Sequence, residues 1–210
     1  MMFNAGALTF REFVMKEPLP LSTIQSSVLE FLRGRDDGVV FGPQAVNAYV
    51  SEPRMTEDID IVSTRAEALA KELRDDLSQR FQIAVRIREI GEGRGYRLFQ
   101  IRKSGNRHLV DVRPVSSLPP AQRVEGVLVM APAELIASKV ISYCQRKGQP
   151  KSGTDWRDIA MLLLKFPELK QTTGQVADRL SAAGTGPEVL SAWHELVAQQ
   201  IQQPDPDDEF

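Results

Sequence analysis

The chain has 210 residues, 42% of them apolar and 26% charged, and this make-up excludes a long disordered chain, a collagen-like fibre and a disulfide scaffold. Its single cysteine, Cys144, forms no internal bridge and suits a reducing cytoplasm, and no apolar run approaches the roughly 18–20 residues of a membrane helix. The net charge of −2 is unevenly spread: from Arg80 to Arg113 nine Lys/Arg stand against three acids, so this stretch carries +6 and the rest −8. A basic stretch inside an acidic chain suits an anionic ligand such as a triphosphate or RNA, and equally suits strands that put arginines on a wet face. The start, MMFNAGALTFREF, lacks a basic patch followed by a long apolar stretch, so no secretory signal is expected.

Residues 22–33 open on Ser/Thr and space Ile24, Val28, Leu29 and Leu32 as a helix does. After the breaker GRDDG, Val39-Val40-Phe41 is a short buried strand, and Gly42-Pro43 turns the chain into a helix over about 43–50. Ile59, Ile61 and Val62 mark a second strand with Asp58 and Asp60 at its start. Ser63-Thr64 caps a helix whose Leu69, Leu73 and Leu77 face a core. Residues 81–89 alternate as a strand, GEGRG is a hairpin turn, and Tyr96–Arg102 returns. Further strands are expected at Arg107–Val115 and Val124–Met130. The pattern then becomes helical: about 132–147, a helix capped by Thr154 and running to Phe166, and segments near 172–182 and 187–202. The expected organisation is a mixed α+β core at 22–130, a helical subdomain at 131–203 and a disordered acidic tail at 204–210.

The chemistry concentrates at Asp58-Ile59-Asp60. Carboxylates at i and i+2 on a strand share one face, and such a pair can hold Mg²⁺, which takes hard oxygen ligands and commonly brings phosphate. The spacing alone is weak, because Asp205 and Asp207 repeat it in the Pro-rich tail. Context separates the two pairs, since two like charges entering an apolar strand are costly unless a cation binds them. Asp111 sits between Val110 and Val112 on a later strand. If that strand lies beside 58–62, three carboxylates converge, the minimum for metal-assisted phosphoryl or nucleotidyl transfer. The competing reading makes Asp58 and Asp60 surface charges partnered by Arg54 or Lys71.

FGPQAVNAYVSEPRMTEDIDIV resembles the signature of the nucleotidyltransferase superfamily, whose members share the polymerase-beta fold. The Arg54-x-Thr56-x-Asp58-x-Asp60 form is most like the AbiE-type toxin nucleotidyltransferases. PAELIASKVISYCQRKGQPKSGTDWRDIAMLL resembles the helical region of that family, with Lys139, Arg146, Lys151, Asp155 and Asp158 at the matching positions. The resemblance spans about residues 38–165. It implies a mixed sheet with flanking helices, an NTP substrate, Mg²⁺ held by Asp58, Asp60 and Asp111, and Asp111 activating the attacking hydroxyl or water. Gly42 would let backbone approach the phosphates and Gln44 would supply an N–H; Arg54, Thr56, Lys139, Arg146 and Asp155 would complete the nucleotide site. The acceptor would be a tRNA or a protein hydroxyl, and a cognate antitoxin would be the partner. For Lys139 and Arg146 a solvated basic stripe is the alternative, and for Asp155 a helix-dipole charge just after the cap. Where the family carries a second small residue, this chain has Pro43, which has no N–H to offer a phosphate. That departure leaves two readings open: an active transferase, and a binding module that keeps the fold without the chemistry.

Overall fold

The structure, a computed structural model, describes residues 19–202. The readings of the chain start and of the 204–210 tail lie outside these residues. The described residues divide into two compact units between Ala131 and Pro132.

The first unit is a seven-stranded mixed sheet with helices. Its elements are α1 (Leu21–Leu32), β1 (Val39–Phe41), α2 (Gly42–Tyr49), β2 (Ile59–Ser63), α3 (Ala66–Phe81), β3 (Val85–Ile90), β4 (Gly95–Gln100), β5 (Arg107–Pro114), β6 (Ala121–Val124) and β7 (Val127–Met130). The strand order is β3-β4-β5-β2-β1-β7-β6. β2 runs parallel to β5 and antiparallel to β1, and β1 runs parallel to β7. Strict alternation makes β2 two-faced. Ile59 and Ile61 are fully buried, with Leu69, Leu73 and Leu77 of α3 and Ile24 and Val28 of α1 also in the core, while Asp60 points the other way. Each such side chain stabilises the fold by about 1.5–3 kcal/mol, so this apolar face holds the sheet while the opposite face is left for polar groups.

Several local readings are corrected. The 63–64 cap is displaced: α3 starts at Ala66, and Ser63, still in β2, accepts a hydrogen bond from the Arg65 N–H. α3 takes in Phe81 and stops at Gln82, which is left-handed (φ 53°), so the strand begins at Val85 rather than 81. The segment expected as one strand at 124–130 is a hairpin, because Glu125 and Gly126 both have positive φ and turn the chain between β6 and β7.

The second unit is helical: α4 (Pro132–Gln145), α5 (Pro150–Lys165), a 3₁₀ turn at Pro167–Leu169, α6 (Gln175–Ala182) and α7 (Pro187–Ala198). Leu135, Ile136 and Val140 of α4 are buried, as are Leu162 of α5, Leu180 of α6 and Trp193 of α7. α5 begins at Pro150, four residues before Thr154. Proline is suited to a first helical turn, and the Thr154 hydroxyl donates back to the Lys151 carbonyl from inside the helix. Among the described residues no helix is long and apolar enough to cross a membrane.

Candidate active site

The sheet register assembles the site. Phe41, Asp60 and Asp111 are direct neighbours across β1, β2 and β5, and Asp111 in turn lies opposite Arg97 on β4. Residues directly opposite in a sheet share a face, so Asp60, Asp111 and Arg97 stand side by side on the face away from α1 and α3. Arg97 grips Asp111 with two parallel bonds, Nε to Oδ1 and Nη2 to Oδ2, both 2.7 Å. This fork geometry is the strong form of the pair.

His108 closes the cluster. Its Nδ1 lies 3.1 Å from Asp58 Oδ2 and its Nε2 2.8 Å from Asp111 Oδ1. On a regular strand residues 108 and 111 would point to opposite faces. Here the register between β4 and β5 slips, with Leu98 opposite Val110 and Phe99 opposite His108, so Leu109 is an extra residue on β5. A bulge of this kind turns the side chains before it to the other face. Asp58, His108 and Asp111 each offer a ligand atom within 4.8 Å of the others. This compact group contains the ring of His108 where Asp60 was expected. Burial pulls the Asp111 carboxyl upward, but hydrogen bonds from Arg97 and His108, and then their charge, hold it well below the usual carboxylate range.

Asp60 packs against the start of α2. Gly42 has φ +68°, and a Cβ there would come within 2.4 Å of Asp60 Oδ2. Glycine is therefore required twice, by backbone conformation and by space. Arg113 approaches the other Asp60 oxygen at 3.6 Å and lies over the Phe41 ring. Pro43 stands in the first turn of α2, as expected. Gln44 is buried, its Oε1 accepts from Asn47, and among the described residues its Nε2 has no hydrogen-bond partner. The loop before Asp58 is clamped: Asn47 bonds both the N–H and the carbonyl of Arg54, and Gln25 donates to the carbonyl and hydroxyl of Thr56.

Of the residues read from sequence, the α/β unit holds Asp58, Asp60 and Asp111 on one face, with Gly42 beside Asp60. Asp58 contacts His108, and Lys71 pairs with Glu67. In the helical unit Lys139, Arg146 and Asp155 join Asp158. Lys139 Nζ lies 2.7 Å from Asp158 and 3.4 Å from Asp155, and Arg146 lies 2.7 Å from the other Asp155 oxygen. Lys139, Asp155 and Asp158 are buried, so Lys139 is no member of a solvated stripe, and Asp155 is inside α5 rather than at its start. Lys151 is exposed. His108, Arg97, Asn47 and Gln25 were not singled out from sequence. For Arg97 the usable signal was its membership of the basic stretch. For His108 it was the paired apolar Leu109-Val110, which breaks the alternation.

The profile of a family described as "Nucleotidyl transferase AbiEii toxin, Type IV TA system" matches residues 45–209, most of the chain. The chain belongs to the AbiEii nucleotidyl transferase family. The match begins just after Gln44, so Gly42, Pro43 and Gln44 lie outside it. No curated protein matches the chain. Among solved structures, the Megavirus polyadenylate synthase superposes with TM-score 0.56 at 14% identity over 70% of this chain, which spans only 32% of that enzyme. JHP933 from Helicobacter pylori gives TM-score 0.58 at 13% identity, covering 91% of this chain and 82% of its own. A further H. pylori structure, assigned to the nucleotidyltransferases, gives 0.59 at 13% identity, covering 92% and 86%. At these identities the likeness establishes the nucleotidyltransferase fold. The family match makes nucleotidyl transfer the general class of this AbiEii member's chemistry.

Proposed function

We propose that the protein is a cytoplasmic, divalent-cation-dependent nucleotidyltransferase of toxin–antitoxin type, transferring an NMP from an NTP to a hydroxyl on RNA or protein, with a cognate antitoxin as partner. The observation that carries this reading is the single face shared by Asp60 and Asp111, with Asp58 joined to Asp111 through His108, beside a helix start whose Gly42 leaves no room for a Cβ. The donor set fits a divalent ion. Carboxylate oxygens suit Mg²⁺, and the His108 nitrogen widens the fit toward Mn²⁺. Asp58, Asp111 and His108 would hold such an ion, with Asp60 beside them, and it would neutralise charge building on the phosphates. The acceptor hydroxyl attacks the α-phosphorus and forms the new P–O bond. The bond to the β-phosphate oxygen breaks and pyrophosphate leaves. The hydroxyl proton passes to solvent. With its proton affinity depressed, Asp111 serves mainly to orient the hydroxyl. The buried Gln44 Nε2 is a donor suited to a phosphate oxygen. The ion pairs of Lys139 with Asp155 and Asp158, and of Arg146 with Asp155, support a role for these residues in shaping the helical unit.

The second reading, a binding module without the chemistry, is favoured by Pro43, which removes one phosphate-facing N–H at the start of α2. One experiment separates the two. The purified protein is incubated with Mg²⁺ or Mn²⁺, each labelled NTP in turn and total cellular RNA and protein. Transfer by the wild type and none by Asp58→Asn or Asp60→Asn supports the transferase. Transfer retained by both variants overturns the assignment of the carboxylates, and no transfer from any NTP by the wild type supports the binding module.

A further inference from the structure

Asp111 is the most enclosed of the three sheet carboxylates, and its oxygens are largely taken up by the chain itself. An ionised carboxylate offers about four lone-pair positions. Oδ1 accepts from Arg97 Nε and lies 2.8 Å from His108 Nε2, and Oδ2 accepts from Arg97 Nη2. A divalent ion set among Asp58, His108 and Asp111 needs an oxygen of this same carboxylate. The guanidinium and the ion are therefore rivals: each is a cation, and in a partly buried site water screens their mutual repulsion weakly. The geometry also lets one of them leave. Ladder pairing fixes the Arg97 backbone between Asp111 on β5 and Arg88 on β3. Its side chain, however, is 38% exposed, against 5% for Asp111. A long arginine stem can turn its head out to solvent while the carboxylate stays where it is. The Lys139–Asp158 pair of the helical unit differs, because it encloses the cation as well as the anion.

We infer that Arg97 is an exchangeable counter-ion: it neutralises Asp111 in the ion-free protein and is displaced from that carboxylate when a divalent ion binds, so that the chain sets its own threshold for the ion. This rests on the divalent-cation reading above and adds a regulation of that site. The ion binds only molecules whose fork is open, so the apparent dissociation constant exceeds the intrinsic one by the inverse of the open fraction. A bidentate fork with one partly exposed partner favours the closed state by about ten-fold. A residue that merely held Asp111 in place for the ion would act with the opposite sign, since its loss would weaken ion binding.

The test uses the full chain and Mn²⁺ alone, without NTP, read by electron paramagnetic resonance of the free ion well below the melting temperature of every variant. Asp58→Asn should weaken Mn²⁺ binding about ten-fold or more, which locates the ion at this cluster. Arg97→Met should tighten it by about ten-fold, the inverse of the closed-state preference. Arg97→Lys, which keeps the charge and loses the fork, should fall between Arg97→Met and wild type. A second readout needs only the wild-type fold. In arginine-¹⁵N-labelled protein the Arg97 Nε–H resonance, assigned by its absence from Arg97→Lys, should shift as Mg²⁺ is added and stop shifting when the site is full. Unchanged or weaker Mn²⁺ binding in Arg97→Met, with Asp58→Asn still weakened, would overturn the exchange and leave the ion site standing. An Arg97 resonance unmoved at saturating Mg²⁺ would do the same, even if Arg97→Met failed to fold. Mn²⁺ binding that is absent from wild type and Arg97→Met alike, or indifferent to Asp58→Asn, would overturn both the exchange and the divalent-cation reading.

Discussion

Substituting Gly42 by Ala tests whether the start of α2 and the β2 carboxylate are built around one another. The change adds a single methyl group. Holding a non-glycine residue at φ +68° costs about 1–2 kcal/mol. The new Cβ would also stand 2.4 Å from Asp60 Oδ2 and 3.2 Å from its Cγ, so the carboxylate must retreat by about 1 Å to reach ordinary contact. Strain alone should lower the melting temperature by roughly 2–8 °C in a chain of this length. A displacement of about 1 Å at a reacting group should lower label transfer on the order of 100-fold. A double-mutant cycle separates the two effects. In an Asp60→Ala background the clash with the carboxylate is gone, so Gly42→Ala should cost only the strain, and the difference between backgrounds measures the coupling. Melting curves of the four proteins give the cycle, and label transfer is read for wild type against Gly42→Ala. Equal destabilisation in both backgrounds, with transfer within two-fold of wild type, would refute the shared-space argument.

Replacing Arg97 by Met takes both guanidinium bonds from Asp111 and should cost about 1–3 kcal/mol at neutral pH, since Arg97 is partly exposed. Asp111 has a folded-state value below its unfolded one, so its contribution is full above the ordinary carboxylate range and fades as pH falls through that range toward the folded value. Urea melts at about pH 7 and about pH 3 should show the variant's deficit shrinking in acid, and an equal deficit at both would refute the pairing. His108→Ala should weaken Mn²⁺ binding about ten-fold or more and Mg²⁺ much less, as the loss of a nitrogen ligand requires; equal losses, measured by Mn²⁺ electron paramagnetic resonance with Mg²⁺ competition, would remove His108 from the ligand set. Lys139→Met leaves Asp155 and Asp158 buried with one cation fewer and should destabilise the protein by about 3–5 kcal/mol, while adding Asp158→Leu should recover much of it. Chemical denaturation checks this, and a single-variant cost below about 1 kcal/mol would show the pair is not structural.

Periodicity made the sheet carboxylates legible. Asp58 and Asp60 stand at i and i+2 entering an apolar strand, Asp111 stands between two valines, and both patterns state a face without any tertiary knowledge. The helical stripes of α1 and α3 were readable for the same reason. Three features were not, each for a physical cause. His108 was hidden because alternation assigns it to the wrong face, and only the slip at Leu109 corrects this. The partners of Lys139 were hidden because Asp155 and Asp158 lie on another helix, and no local spacing reports which charges will meet when two helices pack. The β6–β7 turn was hidden because Glu125, a residue that rarely adopts positive φ, takes that conformation ahead of Gly126.

The extra residue on β5 behaves like a frameshift in space. Along a strand, facing is a parity, and Leu109 changes the parity of everything on its N-terminal side relative to Asp111. Substitutions alter what a position carries but leave the count untouched. Whether this cluster contains an imidazole is therefore decided by chain length between two points, and losing one residue there would send His108 into the apolar layer while Asp111 kept its place. Close relatives could then differ in ligand set through a gap in an alignment, with every catalytic letter unchanged.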